Sequence, residues 1–335
     1  MTPVFMIGTQ RSGSNLLRLM INQLHQIASP HPPHIMERIH PLLDHYGNLG
    51  DDAKFRQLVE DVCRLVELNP VKWEMPPLDR EEVYSRCREP NLIAVHSAIY
   101  DIYAESQKAK TWCCKSLANI QYTDEIEDYL KTPKYIYLYR DGRDVALSFQ
   151  KAVVGEKHIY NIAEEWRQTQ ELAIDLKNKI DSSRFFSISY EDLTGNAEES
   201  ARALCKFLEV DYTDEMLSFH KTSEAKRAAE SSQLWGNVTS PVMKDNTKKY
   251  QKEMSVADIK IFESVAGHVL DELGYSRDYV EKGNEYIYSQ SEIEKFNEEN
   301  TRLKLASLLN VDKEDLERRK RQTSLLEEIK SRSAA

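Results

Sequence analysis

Apolar residues along this chain alternate between short continuous runs and longer stretches at helical spacing. Val4-Phe5-Met6-Ile7 is a short run that ends at Gly8. After a polar turn, Leu16, Leu17, Met20, Ile21 and Leu24 recur on one helical face, which predicts a helix over residues 13–27. Ser29-Pro30-His31-Pro32-Pro33-His34 breaks it. A mixed stretch over 35–46 and a helix over 52–68 follow, then a proline-bearing surface loop over 69–79 that carries Trp73. The run 92–96 is too short to separate a strand from the start of a helix. Residues 111–115 read as a buried strand ending in Lys115, and 134–140 as an aromatic strand ending in Arg140. A third such run spans 185–190. Helices are predicted over 122–130, 145–153, 161–180, 198–208, 213–229 and 255–273. Strands separated by helices predict an α/β fold, a parallel β-sheet flanked by helices, with ligands beyond the carboxyl ends of the strands. Arg11, Lys115 and Arg140 all fall at such ends.

From Asn284 the pattern changes. Glycine and proline disappear, and Glu, Lys, Arg and Leu dominate. This divides the chain into a main domain, residues 1–282, and a charged C-terminal helical extension, residues 283–335. Asp312 is the expected N-cap of a second tail helix. Leu305, Leu308, Leu309, Leu316, Leu325, Leu326 and Ile329 give sparse stripes. They fit a helical pair packed on its own body, or a hairpin forming a homodimer, although no sustained heptad is present. Arg318-Arg319-Lys320-Arg321 reads as a solvated face.

Composition narrows the function classes. The chain has 335 residues and a formal net charge of −10, which argues against non-specific nucleic-acid binding and requires any anion site to be built locally. No apolar run is long enough to span a membrane, and the opening run is too short for a secretory leader. Cys63, Cys87, Cys113, Cys114 and Cys205 include no CxxC pair, so reduced thiols in a cytoplasmic protein are expected and no metal site is.

The turn after the first strand carries the chemistry. Gly8-Thr9-Gln10-Arg11-Ser12-Gly13-Ser14-Asn15 places two glycines at P-loop spacing before a helix start. Free N–H groups and the positive end of the helix dipole make such a turn an anion cradle. Ser14 and Asn15 stand where a P-loop carries Lys and Ser/Thr, so the lysine that reaches the outer phosphates is missing, and a cation is supplied within the turn by Arg11.

Together with Arg140-Asp141-Gly142-Arg143-Asp144-Val145-Ala146-Leu147-Ser148, this turn resembles the signature segments of the sulfotransferases that use 3′-phosphoadenosine 5′-phosphosulfate (PAPS) and release adenosine 3′,5′-diphosphate (PAP). Ser189-Tyr190-Glu191-Asp192-Leu193 resembles the family's segment near the adenine, and 242–250 its later loop, with Lys244 in the basic position. The resemblance spans residues 3–275 and implies the P-loop nucleotide-hydrolase-like sulfotransferase fold. It implies that Thr9, Gln10, Arg11, Ser12, Gly13, Ser14 and Asn15 bind the 5′-phosphosulfate, Arg140, Ser148 and Lys244 the 3′-phosphate, and Tyr190 the adenine side. Arg11 and Lys115 correspond to cations at the leaving oxygen and the transferring group. The histidine that follows the second lysine in the cytosolic branch is replaced by Leu117. Glu37-Arg38-Ile39-His40-Pro41 is similar to the segment that holds a glutamate base in the tyrosylprotein branch, so Glu37 is the expected base, with His34, His40 and His96 as rivals.

The implied reaction is metal-independent, in-line transfer of a sulfuryl group to the hydroxyl of a small alcohol, a sterol or lipid, or a carbohydrate, with a peptide tyrosine or phenol as the alternative acceptor. A P-loop small-molecule kinase and a non-catalytic nucleotide-binding module are the competing classes. The segments 29–49, 69–79 and 231–241, with Trp73 and Trp235, are expected to line the acceptor side.

Overall fold

The computed structural model describes residues 2–231, 238–244, 246–309 and 311–332. In chain order the elements are β1 (Val4–Gly8), α1 (Ser14–Ile21), β2 (Ile27–Ala28), α2 (Ile35–Ile39), α3 (Asp52–Glu67), α4 (Arg80–Arg86), α5 (Leu92–Ser106), β3 (Thr111–Cys114), α6 (Thr123–Tyr129), β4 (Lys134–Tyr139), α7 (Gly142–Lys151), α8 (Ile159–Lys179), β5 (Phe185–Ser189), α9 (Tyr190–Gly195), α10 (Ala197–Leu208), α11 (Ser223–Ser231), α12 (Tyr250–Glu253), α13 (Val256–Glu272), α14 (Gln290–Leu308) and α15 (Lys313–Ser331). The five strands form one parallel sheet in the order β2-β3-β1-β4-β5. This is the α/β arrangement the sequence pattern predicts, a parallel sheet flanked by helices.

The order explains where a ligand goes. After β1 the chain builds β2 and β3 on one side and then crosses to β4 on the other, so the crevice at the end of β1 is the switch point of the sheet. β1 alternates strictly: Phe5 and Ile7 pack into the core on one face, Val4 and Met6 into the core on the other. Both faces are covered, so the strand is apolar throughout. Gly8 has φ 132, and a Cβ there would lie 2.2 Å from the Leu138 carbonyl oxygen of β4. Only glycine lets β1 turn out of the sheet at that point.

Several boundaries differ from the sequence pattern. The first helix stops at Ile21, not near residue 27, because Asn22 Oδ1 accepts from the Ser29 amide and folds Ile27–Ala28 back as the edge strand β2. Residues 92–106 are helical, capped by the Asn91 side chain accepting from the Ala94 amide. The stretch predicted as one helix over 213–229 divides at Thr222, whose hydroxyl accepts from the Ala225 amide at the start of α11. Trp73 does not sit on a surface loop. It is buried, donates to the His31 carbonyl oxygen at 2.7 Å and packs against Tyr100 and Tyr103.

The two tail helices take different paths. α14 lies along α8, with Phe296 stacked on His158 and Asn300 accepting from the Lys157 and His158 amides. α15 lies against α3, with Leu325 and Ile329 buried in the main core and Gln322 Nε2 donating to the Leu65 carbonyl. Leu305, Leu308, Leu309 and Leu316 are exposed. Among the described residues, no helix is long and apolar enough to cross a membrane.

Candidate active site

The turn after β1 is held by strain and by packing. Gly13 has φ 87, and a Cβ on it would lie 2.5 Å from the Tyr190 ring. Arg11 takes a left-handed conformation at φ 70 without being glycine, a cost that surrounding contacts must hold in place. Those contacts are specific. Arg11 Nε donates to Ser148 Oγ at 2.9 Å, its carbonyl accepts from Arg140 Nη1 at 3.1 Å, and Thr9 Oγ1 accepts from Gln170 Nε2. Ser12 and Ser14 are buried, and Ser12 Oγ and Asn15 Oδ1 are buried without a partner.

Arg140 sits at the end of β4, 6% exposed, with its guanidinium 4.3 Å above the centre of the Tyr190 ring. It donates to the Asn246 carbonyl at 2.6 Å, and Asn246 Nδ2 donates to the Tyr190 hydroxyl at 2.8 Å. Its Nε is a buried donor without a partner. Burial and the neighbouring Arg140 charge both lower the pKa of Arg11. Two guanidiniums, orphaned buried polar atoms and a helix start therefore converge on one small volume. An oxyanion here could accept from the unpartnered Arg140 Nε and the Ser12 hydroxyl, whereas Asn15 Oδ1, itself an acceptor, calls for a donor.

A second cluster forms at the end of β3. Lys115 is 8% exposed, and burial, then the charge of Arg18, push its pKa down to about 7. Ser116 Oγ lies 3.0 Å from His34 Nδ1, which also lies 3.0 Å from Glu37 Oε2. His34 precedes α2 with φ 60, again in the left-handed region. Burial lowers the His34 pKa and favours the neutral ring. For Glu37, burial works toward a higher pKa, but the His34 contact and the Arg38 and Lys115 charges outweigh it, and the carboxylate stays ionised. Glu37 and Lys115 thus face one region, an anion and a cation whose fields reach each other.

The remaining residues singled out from the sequence are elsewhere. His96 is locked in the core, stacked on Tyr100 at 4.6 Å and on Phe5 at 5.8 Å, and burial pushes its pKa down to about 3. His40 pairs with Glu125 at 3.2 Å and packs on Tyr122, outside the Glu37–Lys115 cluster. Lys244 is exposed and makes no hydrogen bond among the described residues; Asn246, two positions on, is the one that reaches Arg140. Trp235 lies outside the described residues.

Three supporting residues carry no motif. Arg18 is fully buried behind the turn, bonded to the Ser29 carbonyl and to Glu224 of α11, and its charge acts on Lys115. Gln170 of α8 links Thr9 to the Tyr137 hydroxyl. Lys157 is buried and donates to the carbonyls of Phe149, Val154 and Gly155, fixing the loop beyond Ser148. An arginine on an otherwise apolar helix face was the one signal in the sequence, at Arg18; the other two look like ordinary surface residues until the chain folds.

A family model described as the sulfotransferase family matches residues 3–214. An uncharacterized protein of Aquifex aeolicus (strain VF5) is 23% identical over 246 residues, covering 69% of this chain and 28% of that protein, so this chain spans well under half the length of that relative. The chain is similar in fold to the sulfotransferase domain from the curacin biosynthetic pathway, with a TM-score of 0.57, 19% identity and coverage of 83% of this chain and 99% of that one. The sulfotransferase domain of the Synechococcus PCC 7002 olefin synthase gives a TM-score of 0.51 at 20% identity, over 78% of this chain and 94% of that one.

Proposed function

Because this chain belongs to the sulfotransferase family, we propose that it transfers a sulfuryl group from PAPS to the hydroxyl of an acceptor and releases PAP. The observation that carries the donor assignment is the meeting of Arg11, of Arg140 and Ser148, and of Tyr190, which come from three separate segments. A nucleotide with phosphate groups at both ends of its ribose matches that convergence: one anion on the 8–15 turn, another at Arg140 and Ser148, and a base beside Tyr190.

The donor supplies a sulfur bound to a good leaving group, a phosphate oxygen. In this reading the N–H groups of the turn and Arg11 hold the bridging oxygen, where charge builds as the S–O bond breaks. Lys115 stabilises the sulfuryl oxygens and the same developing charge. Glu37 orients the acceptor hydroxyl and takes its proton as the new O–S bond forms. His34, bonded to Glu37 and to Ser116, fixes the carboxylate relative to Lys115. Ser14-Asn15 in place of Lys-Ser/Thr disfavours the kinase alternative.

A calorimetric titration tests the donor. PAP is expected to bind without Mg²⁺, and ATP with Mg²⁺ to bind much more weakly. The reverse order would sink the proposal. The acceptor is a small alcohol, a sterol or lipid, or a carbohydrate, with a phenol or peptide tyrosine as the alternative; a screen with labelled PAPS distinguishes them.

A further inference from the structure

Beside the Glu37–Lys115 cluster, α2, the 69–71 segment and α15 border a small cavity of about 40 Å³. His31, His34, Arg38, Asn69, Val71 and Arg319 line it. Among the described residues, none of the lining side chains is acidic. Arg38 and Arg319 are far apart in the chain, yet the charge of Arg319 acts on both Arg38 and His31. Two guanidiniums thus share one concave space in a protein whose formal net charge is −10.

Their hydrogen bonds leave donors unused. Arg38 Nη1 donates to Gln322 Oε1 at 2.5 Å, and Gln322 in turn donates to the Leu65 carbonyl at 2.8 Å. Arg319 Nε donates to both oxygens of Asp315, at 3.2 Å each. Among the described residues, Arg38 Nε and Nη2 and both Nη groups of Arg319 make no hydrogen bond. Like charges at close range repel, and an oxyanion between them converts that repulsion into two charge-assisted contacts. Arginine suits such a site because its planar fork matches a carboxylate or phosphate. His34 lines the cavity and lies 3.0 Å from Glu37 Oε2, so the cavity adjoins the place where the reacting hydroxyl would sit.

We propose that this cavity binds the anionic group, a carboxylate or a phosphate, of the acceptor alcohol, with Arg38 and Arg319 as its ligands. The inference rests on the sulfotransferase reading of Glu37 and Lys115. It gives the C-terminal extension a role in the reaction, since α15 delivers a specificity residue to the acceptor site. It also narrows the acceptor to an alcohol that carries an anionic group, and disfavours an uncharged sterol.

The test uses the full chain saturated with PAP, so that the donor anion site is filled. Three probes are titrated calorimetrically: ω-hydroxyhexanoate, its methyl ester, and hexanediol monophosphate. An anion is expected to bind at least ~10-fold more tightly than the ester, the yield of one charge-assisted hydrogen bond. Whether acid or phosphate binds better identifies the oxyanion. Arg319→Ala is expected to erase that preference and Arg319→Lys to restore part of it, while PAP affinity, set elsewhere, reports an intact fold. Equal binding of acid and ester, no binding of either anion, or a preference unchanged in Arg319→Ala overturns the inference. Sulfuryl transfer from PAPS is followed separately. Transfer to acid and ester with equal kcat/KM rejects the anion site and leaves the sulfotransferase reading standing. Anion binding that Arg319→Ala abolishes, with no transfer to any acceptor, supports the anion site and counts against the roles of Glu37 and Lys115.

Discussion

Arg11 Nε donates to Ser148 Oγ at 2.9 Å, joining the turn after β1 to the middle of α7 across 137 residues of sequence. The bond has two consequences. It holds a left-handed arginine in place, and it orients the hydroxyl proposed to meet the 3′-phosphate, since the Arg11 carbonyl in turn accepts from Arg140. Ser148→Ala removes both. We expect PAP affinity to fall roughly 10-fold, the yield of one hydrogen bond to a charged group. Affinity for AMP, which has no 3′-phosphate, is expected to change much less. Calorimetry with the two nucleotides checks this, and an equal loss for both would remove Ser148 from the 3′-phosphate.

Glu37 and His96 give a paired test of the base. Glu37→Gln keeps the shape and removes the proton acceptor, so turnover is expected to fall roughly 10²- to 10⁴-fold with PAP affinity retained. His96 is stacked on Tyr100 in the core, with its pKa pushed down to about 3, and has no route to a proton transfer near neutral pH. His96→Phe keeps an aromatic ring in the stack but enlarges it, and is expected to keep turnover at a stability cost of about 1–3 kcal/mol. Full activity in Glu37→Gln would exclude it as the base.

Lys115 makes donor binding depend on pH. Its pKa is lowered to about 7 by burial and by Arg18. The free protein therefore carries the charge below about pH 7 and loses it above. A bound dianion favours the charged form and raises that pKa, so binding takes up a proton in the interval between the two values. PAP affinity is expected to fall as pH rises from about 7 to about 9, by up to ~10-fold per unit. Titrations in buffers of different ionisation enthalpy measure the proton uptake directly. Lys115→Arg stays charged throughout this range and should flatten the profile. A profile that keeps its slope in Lys115→Arg would assign the titration to another group.

Much of the fold was legible because it rests on local pattern. β1, β3, β4 and β5 are apolar runs bounded by polar turns, and α3, α8, α10 and α13 keep helical spacing throughout. β2 was not legible, since two residues carry no period and their strand character comes from pairing with Thr111 and Trp112. At the site, the turn around Arg11 showed in its glycine spacing and the segments around Arg140, Ser148 and Tyr190 in their resemblance to the family's signature segments, and the fold brings them into contact. Arg18, Gln170 and Lys157 did not, because each acts on a residue distant in sequence. Arg318-Arg319-Lys320-Arg321 read as one solvated face, yet only Lys320 and Arg321 are exposed; Arg319 turns toward Arg38 because Gln322 and Leu325 bury that side of α15. Charge alone does not tell which arginine of a run faces inward.

The tail decides whether the chain unfolds as one unit. Ile329 is fully buried in the same core as Phe55 and Val62 of α3, and Arg332 pairs with Asp61, itself fully buried and bonded to the Tyr46 hydroxyl at 2.9 Å. These contacts belong to the main body. Ile329→Ala deletes methyl groups from that core and is expected to cost about 2–5 kcal/mol of global stability. Urea unfolding followed by Trp fluorescence reads it, because Trp73 and Trp112 lie in that core. A shared loss appears as one transition moved to lower urea, with the slope unchanged. A tail that folds by itself would melt in a separate early step seen by circular dichroism, and the fluorescence midpoint would stay where it was.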